Sequence, residues 1–251
     1  MQKKYRQRKS WPESKLFRFY LRFIFGIWGL LSNCVSTNDS YQGNPLFGWL
    51  ESSSEIRTVD PLPILARYPG YTATGFEFPV GGRFAEGYYI AQRFEAENGR
   101  FGGKKHLGED WNTVGGGDSD YGAPVYSMAH GVVSEVADYG GGWGKVVRIV
   151  HHFPKANPEY YESVYAHLST VDVVPGQLVS ATEWIGTIGD AGGVYPSHLH
   201  LELRTNIGLP IGGGYAEDTD GFLSATKFLM RYGPKERNFS EDSFNLILEK
   251  P

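Results

Sequence analysis

The sequence predicts a mainly β protein built from antiparallel sheets, with one short helix near its C-terminus, and three observations predict it. The 251 residues include 33 glycines and 14 prolines, more punctuation than a helical bundle tolerates. Sixteen Tyr and 15 Phe accompany them, and apolar residues alternate in short runs that suit half-buried strands. Turn residues such as Gly140, Gly141 and Gly142, Pro175 and Gly176, and Gly192 and Gly193 separate almost all of those runs. The runs fall at 75–80, 87–94, 124–129, 131–136, 145–151, 163–168, 184–188 and 198–204. One helix is expected over 222–232, where Phe222, Ala225, Thr226 and Leu229 share a face and Gly233 and Pro234 stop the turn. A hydrophobic share of 41% is enough to fill a real core.

Charge and the single cysteine divide the chain further. Eight of the 24 Lys and Arg lie in the first 22 residues. Beyond Asn33 the balance is 16 basic against 27 acidic residues, which excludes nucleic-acid binding through a broad basic face. The basic start runs into nine uncharged, largely apolar residues at 23–31, too few for a membrane span of about 20 and suited to an export signal. Leu31, Ser32, Asn33 and Cys34 resemble a bacterial lipobox, which implies that Cys34 is acylated and becomes the first residue of a membrane-anchored lipoprotein. Asn33 departs from that pattern, since Gly, Ala or Ser is usual there. A plain secretory signal and an uncleaved anchor are the other readings, and all three place the rest of the chain outside the cytoplasm. The expected organisation is a signal peptide at 1–33, a flexible tether at 34–70, the main domain at 71–215, and a C-terminal helix and tail at 216–251.

The histidines carry the chemistry. In 197–204 a period of two puts Leu199, Leu201 and Leu203 on one face and His198, His200, Glu202 and Arg204 on the other. One face is then core and the other a site. The same reading of 162–168 points Val164, Ala166 and Leu168 one way and Tyr165 and His167 the other. His106 and Asp110 flank Gly108, which lets the backbone pass close to whatever they hold. A catalytic zinc takes three N or O ligands and keeps a position open for water. His106, Asp110 and one histidine of the His198 and His200 pair meet that requirement.

Six ordered blocks now stand in the sequence: His106, Gly108 and Asp110; Gly122 to Val125; Gly131 to Val133; Tyr165 to Leu168; Ile185 to Gly189; and His198 to Glu202. Together they resemble the M23 zinc metallopeptidases of the lysostaphin and LytM type, over roughly residues 75–205. The resemblance implies antiparallel sheets forming a groove with a zinc site. It implies His106, Asp110 and His200 as zinc ligands and His167 and His198 as catalytic residues. The implied activity is endopeptidase cleavage of the peptide part of bacterial peptidoglycan. Segment 180–184 departs from the family's usual Lys/Gly-rich turn, and 156–163 reads as an insertion.

Other features have plainer readings. His130, His151 and His152 are expected to be hydrogen-bonded polar residues without a catalytic part. Segment 115–120 lacks the residues of a phosphate loop or an EF-hand and reads as a flexible rim loop. Asp218 to Gly221 reads as a turn. Glu202 and Arg204 either orient the histidines or are surface charges, and Trp143 and Tyr195 are candidates for lining a groove. Besides a peptidoglycan endopeptidase, two function classes remain. One is a non-catalytic envelope module that binds peptidoglycan or activates a cell-wall amidase, and the other is a zinc hydrolase of a different substrate.

The anchor is directly testable. Replacing Cys34 with Ser should move the protein from the membrane to the soluble fraction. A wild-type protein that is already soluble, or whose mature N-terminus lies elsewhere, would contradict lipidation at Cys34.

Overall fold

The computed structural model describes residues 56–234; the expected signal peptide, Cys34, the first part of the expected tether and the tail beyond 234 lie outside the described residues. In chain order the elements are β1 (Arg57–Thr58), α1 (Pro61–Arg67), β2 (Tyr88–Gln92), β3 (Glu97–Asn98), β4 (Lys104–His106), β5 (Glu109–Thr113), β6 (Pro124–Tyr126) and β7 (Gly131–Asp138). They continue with β8 (Lys145–His152), β9 (Tyr160–Val171), β10 (Leu178–Val179), β11 (Trp184–Ile188), β12 (Leu199–Arg204), β13 (Tyr215–Ala216), β14 (Phe222–Leu223) and α2 (Ala225–Tyr232). The main sheet runs β1-β7-β8-β9-β12-β5-β2, with β10 on β7, β14 on β12, and β11 joining β9 to β6. A second sheet runs β13-β4-β3. Every pairing within them is antiparallel, as the alternating runs predict.

Strands β8, β9 and β12 are buried on both faces. On one face Val147, Ile149, Tyr165, Leu199, Leu201 and Leu203 join Phe76, Trp111 and Phe228 in the main core. On the other, Val146, Val164 and Ala166 pack under Trp143 and Ile211. Beside them lie Arg148, Glu162, Glu202 and Arg204, all buried. Fully burying one such leucine is worth about 1.5–3 kcal/mol, so the apolar face fixes the register of β12. With Leu199, Leu201 and Leu203 held inside, His200 is forced to the opposite face.

Four expectations need correction. The tether assigned to 34–70 holds structure at its end. Asp60 caps α1, Pro61 opens it, and Leu65 is buried against Val132 and Val150, while Arg57 pairs with Val136. The apolar run at 61–66 is too short to show a period, yet it finds a surface to cover. Segment 75–80 is buried but forms no ladder: the Pro79 ring has no N–H, and the backbone bonds go singly to Met128, Tyr126 and Tyr232. The helix expected at 222–232 starts three residues later, because Phe222 and Leu223 pair with Arg204 and Leu203 and Ser224 then caps Lys227. Its Ala225, Phe228 and Leu229 belong to the main core, so 216–232 is not a separate appendage.

The fourth correction bears on function. Strict alternation would turn His167 into the core beside Tyr165. Instead Ala166 and His167 together oppose Val146, so Lys145 pairs with Leu168 and Val147 with Tyr165. This bulge is made by His167 itself, at φ 63°. It puts Leu168 into the core and leaves His167 on the face of His200.

His151 has the structural role expected of it. Its Nδ1 lies 3.0 Å from the His130 carbonyl and its Nε2 2.7 Å from the Ser163 hydroxyl. That hydroxyl meets Tyr165, which accepts from the Met128 N–H. Burial lowers the His151 pKa to about 4 from an ordinary 6.5, and the His130 carbonyl only partly offsets this. The folded chain therefore resists protonation while the unfolded chain accepts it. The contribution to stability is complete above pH 6.5 and is lost as the pH falls towards 4. Between pH 7 and 4.5 the wild-type chain should lose about 2–3 kcal/mol more in urea unfolding than His151→Gln. The other buried histidines act equally on both chains, so an identical pH dependence in the two would contradict this role.

Candidate metal centre

The two sheets meet at three donor atoms. His106 closes β4 in the small sheet, whereas Asp110 on β5 and His200 on β12 stand opposite one another in the main sheet. His106 Nε2 is 3.1 Å from His200 Nδ1 and 3.4 Å from Asp110 Oδ1, and Asp110 Oδ1 is 2.9 Å from His200 Nδ1. These atoms form a cluster able to hold a metal ion. A tetrahedral zinc with bonds of about 2.1 Å sets its ligands about 3.4 Å apart, and the triangle needs little adjustment to reach that. The donor set of two imidazoles and a carboxylate suits zinc's borderline character.

Each histidine here has one ring nitrogen occupied elsewhere. His106 Nδ1 lies 3.3 Å from the Arg93 carbonyl, His167 Nδ1 3.2 Å from the Trp143 carbonyl, and His198 Nδ1 2.8 Å from the Pro196 carbonyl. A carbonyl only accepts, so each of these nitrogens carries the proton and each Nε2 is left with a lone pair. His200 is turned the other way. Its Nε2 is 3.3 Å from Glu202 Oε1, so Nδ1 is the free donor atom once Nε2–H bonds the carboxylate. Arg204 holds Glu202 in turn through Nε at 2.8 Å and Nη2 at 2.5 Å. Glu202 and Arg204 are both fully buried, which decides their role as orienting groups and excludes surface charges.

The electrostatics follow from this packing. Burial lowers the His106 pKa to about 4, against the pull of Asp110. Burial, with His200 and His198 nearby, lowers that of His167 to about 3. Burial also opposes charge on His200, but hydrogen bonds to Asp110 and Glu202 prevail and raise it to about 9. Asp110 would be raised by burial, yet His200, His106 and His198 hold its carboxyl well below the usual range. The two carboxylates thus favour positive charge at His200, which is where a cation would sit.

Gly108 is required for a reason narrower than the sequence implied. A Cβ there would lie 2.6 Å from the Leu201 carbonyl oxygen and 2.8 Å from His200 Cε1, so the backbone passes against the ring of His200 itself. His198 stands just before β12 with Nε2 3.7 Å from Asp110 Oδ1. Its ring is 4.7 Å from that of His167, and the His167 ring is 5.4 Å from that of His200. All five candidate residues therefore come together.

Aromatic rings border them. Trp143 lies edge-on to His200 at 5.3 Å, and Tyr195 is 5.2 Å from His167 and 5.8 Å from His198. Tyr215, which sequence reasoning missed, lies 5.0 Å from His106 and stacks on Phe101 at 4.0 Å. Only the pairing of β13 with β4 brings it there, and a lone Tyr after Gly212, Gly213 and Gly214 gave no sign of it. Segment 115–120, expected to be a flexible rim loop, is instead tied to the residue before His198.

Comparison with known proteins agrees with the geometry. Residues 105–211 match the model of the family described as Peptidase family M23. An uncharacterized metalloprotease of Haemophilus influenzae is 34% identical over 103 residues, which are 41% of this chain and 19% of that protein. The cell division protein DipM of Caulobacter vibrioides is 34% identical over 83 residues, 33% of this chain and 13% of that one. The chain thus spans less than a fifth of either relative. Among solved structures, a zinc containing peptidase from Vibrio cholerae is similar with a TM-score of 0.40 and 28% identity, covering 52% of this chain and 37% of that one. The catalytic domain of the antimicrobial peptidase lysostaphin from Staphylococcus simulans gives 0.44 and 23%, covering 57% and 92%. The metal-ligand triangle lies inside residues 105–211, the segment that matches the Peptidase family M23 model.

Proposed function

We propose that this chain is a zinc-dependent endopeptidase that hydrolyses peptide bonds in bacterial peptidoglycan, exported and held at a membrane of the cell envelope by lipid on Cys34. The observation that carries the reading is the pairing of a three-donor cluster with two further histidines that are not part of it. A site that only bound metal would have no use for His167 and His198, whose rings stand beside the cluster with Nδ1 on carbonyls and Nε2 left with a lone pair.

His106 Nε2, Asp110 Oδ1 and His200 Nδ1 would hold the zinc, which supplies a Lewis acid for the scissile carbonyl and lowers the pKa of an attacking water. The remaining work falls to the chain. Water that adds to a carbonyl must give up a proton, and Nε2 of a neutral histidine accepts it. His167 is neutral at ordinary pH because burial disfavours its charged form. The same nitrogen, now protonated, can pass the proton to the departing amine. The second histidine, when protonated, donates to the oxyanion. Trp143 and Pro196 carbonyls keep both rings from turning away during these transfers. Trp143, Tyr195 and Tyr215 border the position a peptide would occupy. The family of residues 105–211 supports a peptidase, and the choice of wall peptide as substrate rests on that family together with the export signal.

Digestion of purified sacculi tests this. The wild-type chain should release peptide fragments and a chelator should stop the release. His167→Ala and His198→Ala should each keep fold and zinc but lose roughly 100-fold or more in rate. Wild-type rates in either variant would remove that histidine from the mechanism. Binding of sacculi without release by the wild-type chain would replace the enzyme reading with that of an envelope module.

A further inference from the structure

Ser197, immediately before His198, is gripped at every polar group it has. Its N–H donates to Asp118 Oδ1 at 2.8 Å, its hydroxyl bonds Asp120 Oδ1, and its carbonyl accepts from Asn112 Nδ2 at 3.1 Å. Ser197 and Asp120 are buried, so little water competes for the bond between them.

The grip acts on the two peptide planes that aim His198. The first joins Pro196 to Ser197. Its N–H is held by Asp118, and its carbonyl is the group that holds His198 Nδ1. A peptide group is rigid, so fixing one edge fixes the other. The second plane joins Ser197 to His198, with its carbonyl on Asn112 and its N–H on the Gly189 carbonyl at 3.2 Å. This support matters because β12 begins only at Leu199, and His198 meets its neighbour through a single bridge.

The loop that supplies the grip is built to be firm. Gly116 and Gly117 take φ of 65° and 56°, which favour glycine, and turn the chain back. Gly115 packs so closely on Ser119 that a Cβ would lie 2.7 Å from its Oγ. Thr113 N–H donates to Asp120 Oδ2, which ties the loop to β5, the strand that carries Asp110.

We propose that Asp118, Asp120 and Asn112 are positioning residues that aim His198 at the metal centre by fixing the two peptide planes around Ser197. The inference rests on the reading of His198 as a catalytic group. Asp118 is the residue to change, since it is exposed whereas Asp120 is buried and its loss could unfold the loop.

In the full-length, metal-free chain with isotope-labelled histidine, the ring signals of His198 can be identified by their loss in His198→Gln. The wild-type ring should show a single tautomer protonated at Nδ1. Asp118→Ala should shift that signal toward mixed tautomers, and Asp118→Asn, which keeps the accepting oxygen, should restore it. On sacculi, Asp118→Ala should lower kcat roughly tenfold or more with KM and zinc content unchanged, and Asp118→Asn should recover it. Unchanged His198 signals in Asp118→Ala overturn the proposal. If those signals shift as expected while the wild-type chain cleaves nothing, the positioning stands and the hydrolase reading falls.

Discussion

Everything in the centre depends on the carboxylate of Glu202 holding Nε2 of His200. Rotation of that ring by half a turn would take Nδ1 away from His106 and Asp110 and dissolve the triangle. Glu202 cannot be moved lightly because Arg204 binds it through two nitrogens, and Arg204 Nη1 reaches the Leu209 carbonyl at 3.0 Å. The neighbouring Arg148 repeats the pattern, pairing with Glu162 at 2.7 Å and with the same Leu209 carbonyl at 2.8 Å. Buried ion pairs are seldom net stabilising, since desolvation consumes most of the Coulombic gain. Losing one partner of such a pair typically costs about 3–5 kcal/mol, because the other charge is left stranded. Their effect here is to make one ring orientation far better than any other.

The opposite face of the same strands supplies the rigidity. Leu199, Leu201 and Leu203 are sealed in the core, so β12 cannot slip its register without burying His200 and Glu202 in hydrocarbon. Within that firm background, strain sits at His167. His167 holds φ 63°, a backbone state that costs a non-glycine residue about 1–2 kcal/mol. Two bonds to one carbonyl offset the strain, as both its N–H and its Nδ1 approach the Trp143 oxygen, at 3.0 and 3.2 Å. The bulge is what brings the ring out of the core and onto the side of His200. Stability and chemistry are thus divided between two faces of the sheet.

Much of this was legible in the sequence. Short alternating runs identify an antiparallel β domain, and the spacing of His106, Gly108 and Asp110 with His198 and His200 picks out a metal centre. Where the sequence misled, the cause was a local exception to a period. His167 breaks the two-residue repeat of β9, and no residue type at 166 or 167 announces a bulge. Phe222 stands at helical spacing from Ala225, Thr226 and Leu229, but edge pairing of Phe222 and Leu223 with β12 outweighed it. Tyr215 and Asp120 reach the centre only through contacts over about a hundred and about eighty residues of chain, to His106 and Ser197 respectively. A single sequence holds no periodicity across such distances. Leu65 is the reverse case, a residue in an apolar run at 61–66 that is too short to show a period, so its burial against Val132 and Val150 could not be read.

His106, Asp110 and His200, with their imidazoles aimed by the surrounding carbonyl and carboxylate groups, are the proposed ligands of one zinc ion. X-ray absorption at the zinc edge, on the full-length chain loaded with one equivalent of zinc, tests this central claim most directly. The account predicts a shell of about four N or O neighbours near 2.0–2.1 Å with the outer-shell scattering of two imidazoles, reduced to one imidazole in His200→Ala. Six oxygen neighbours without imidazole scattering, or the same spectrum in His200→Ala, would contradict it.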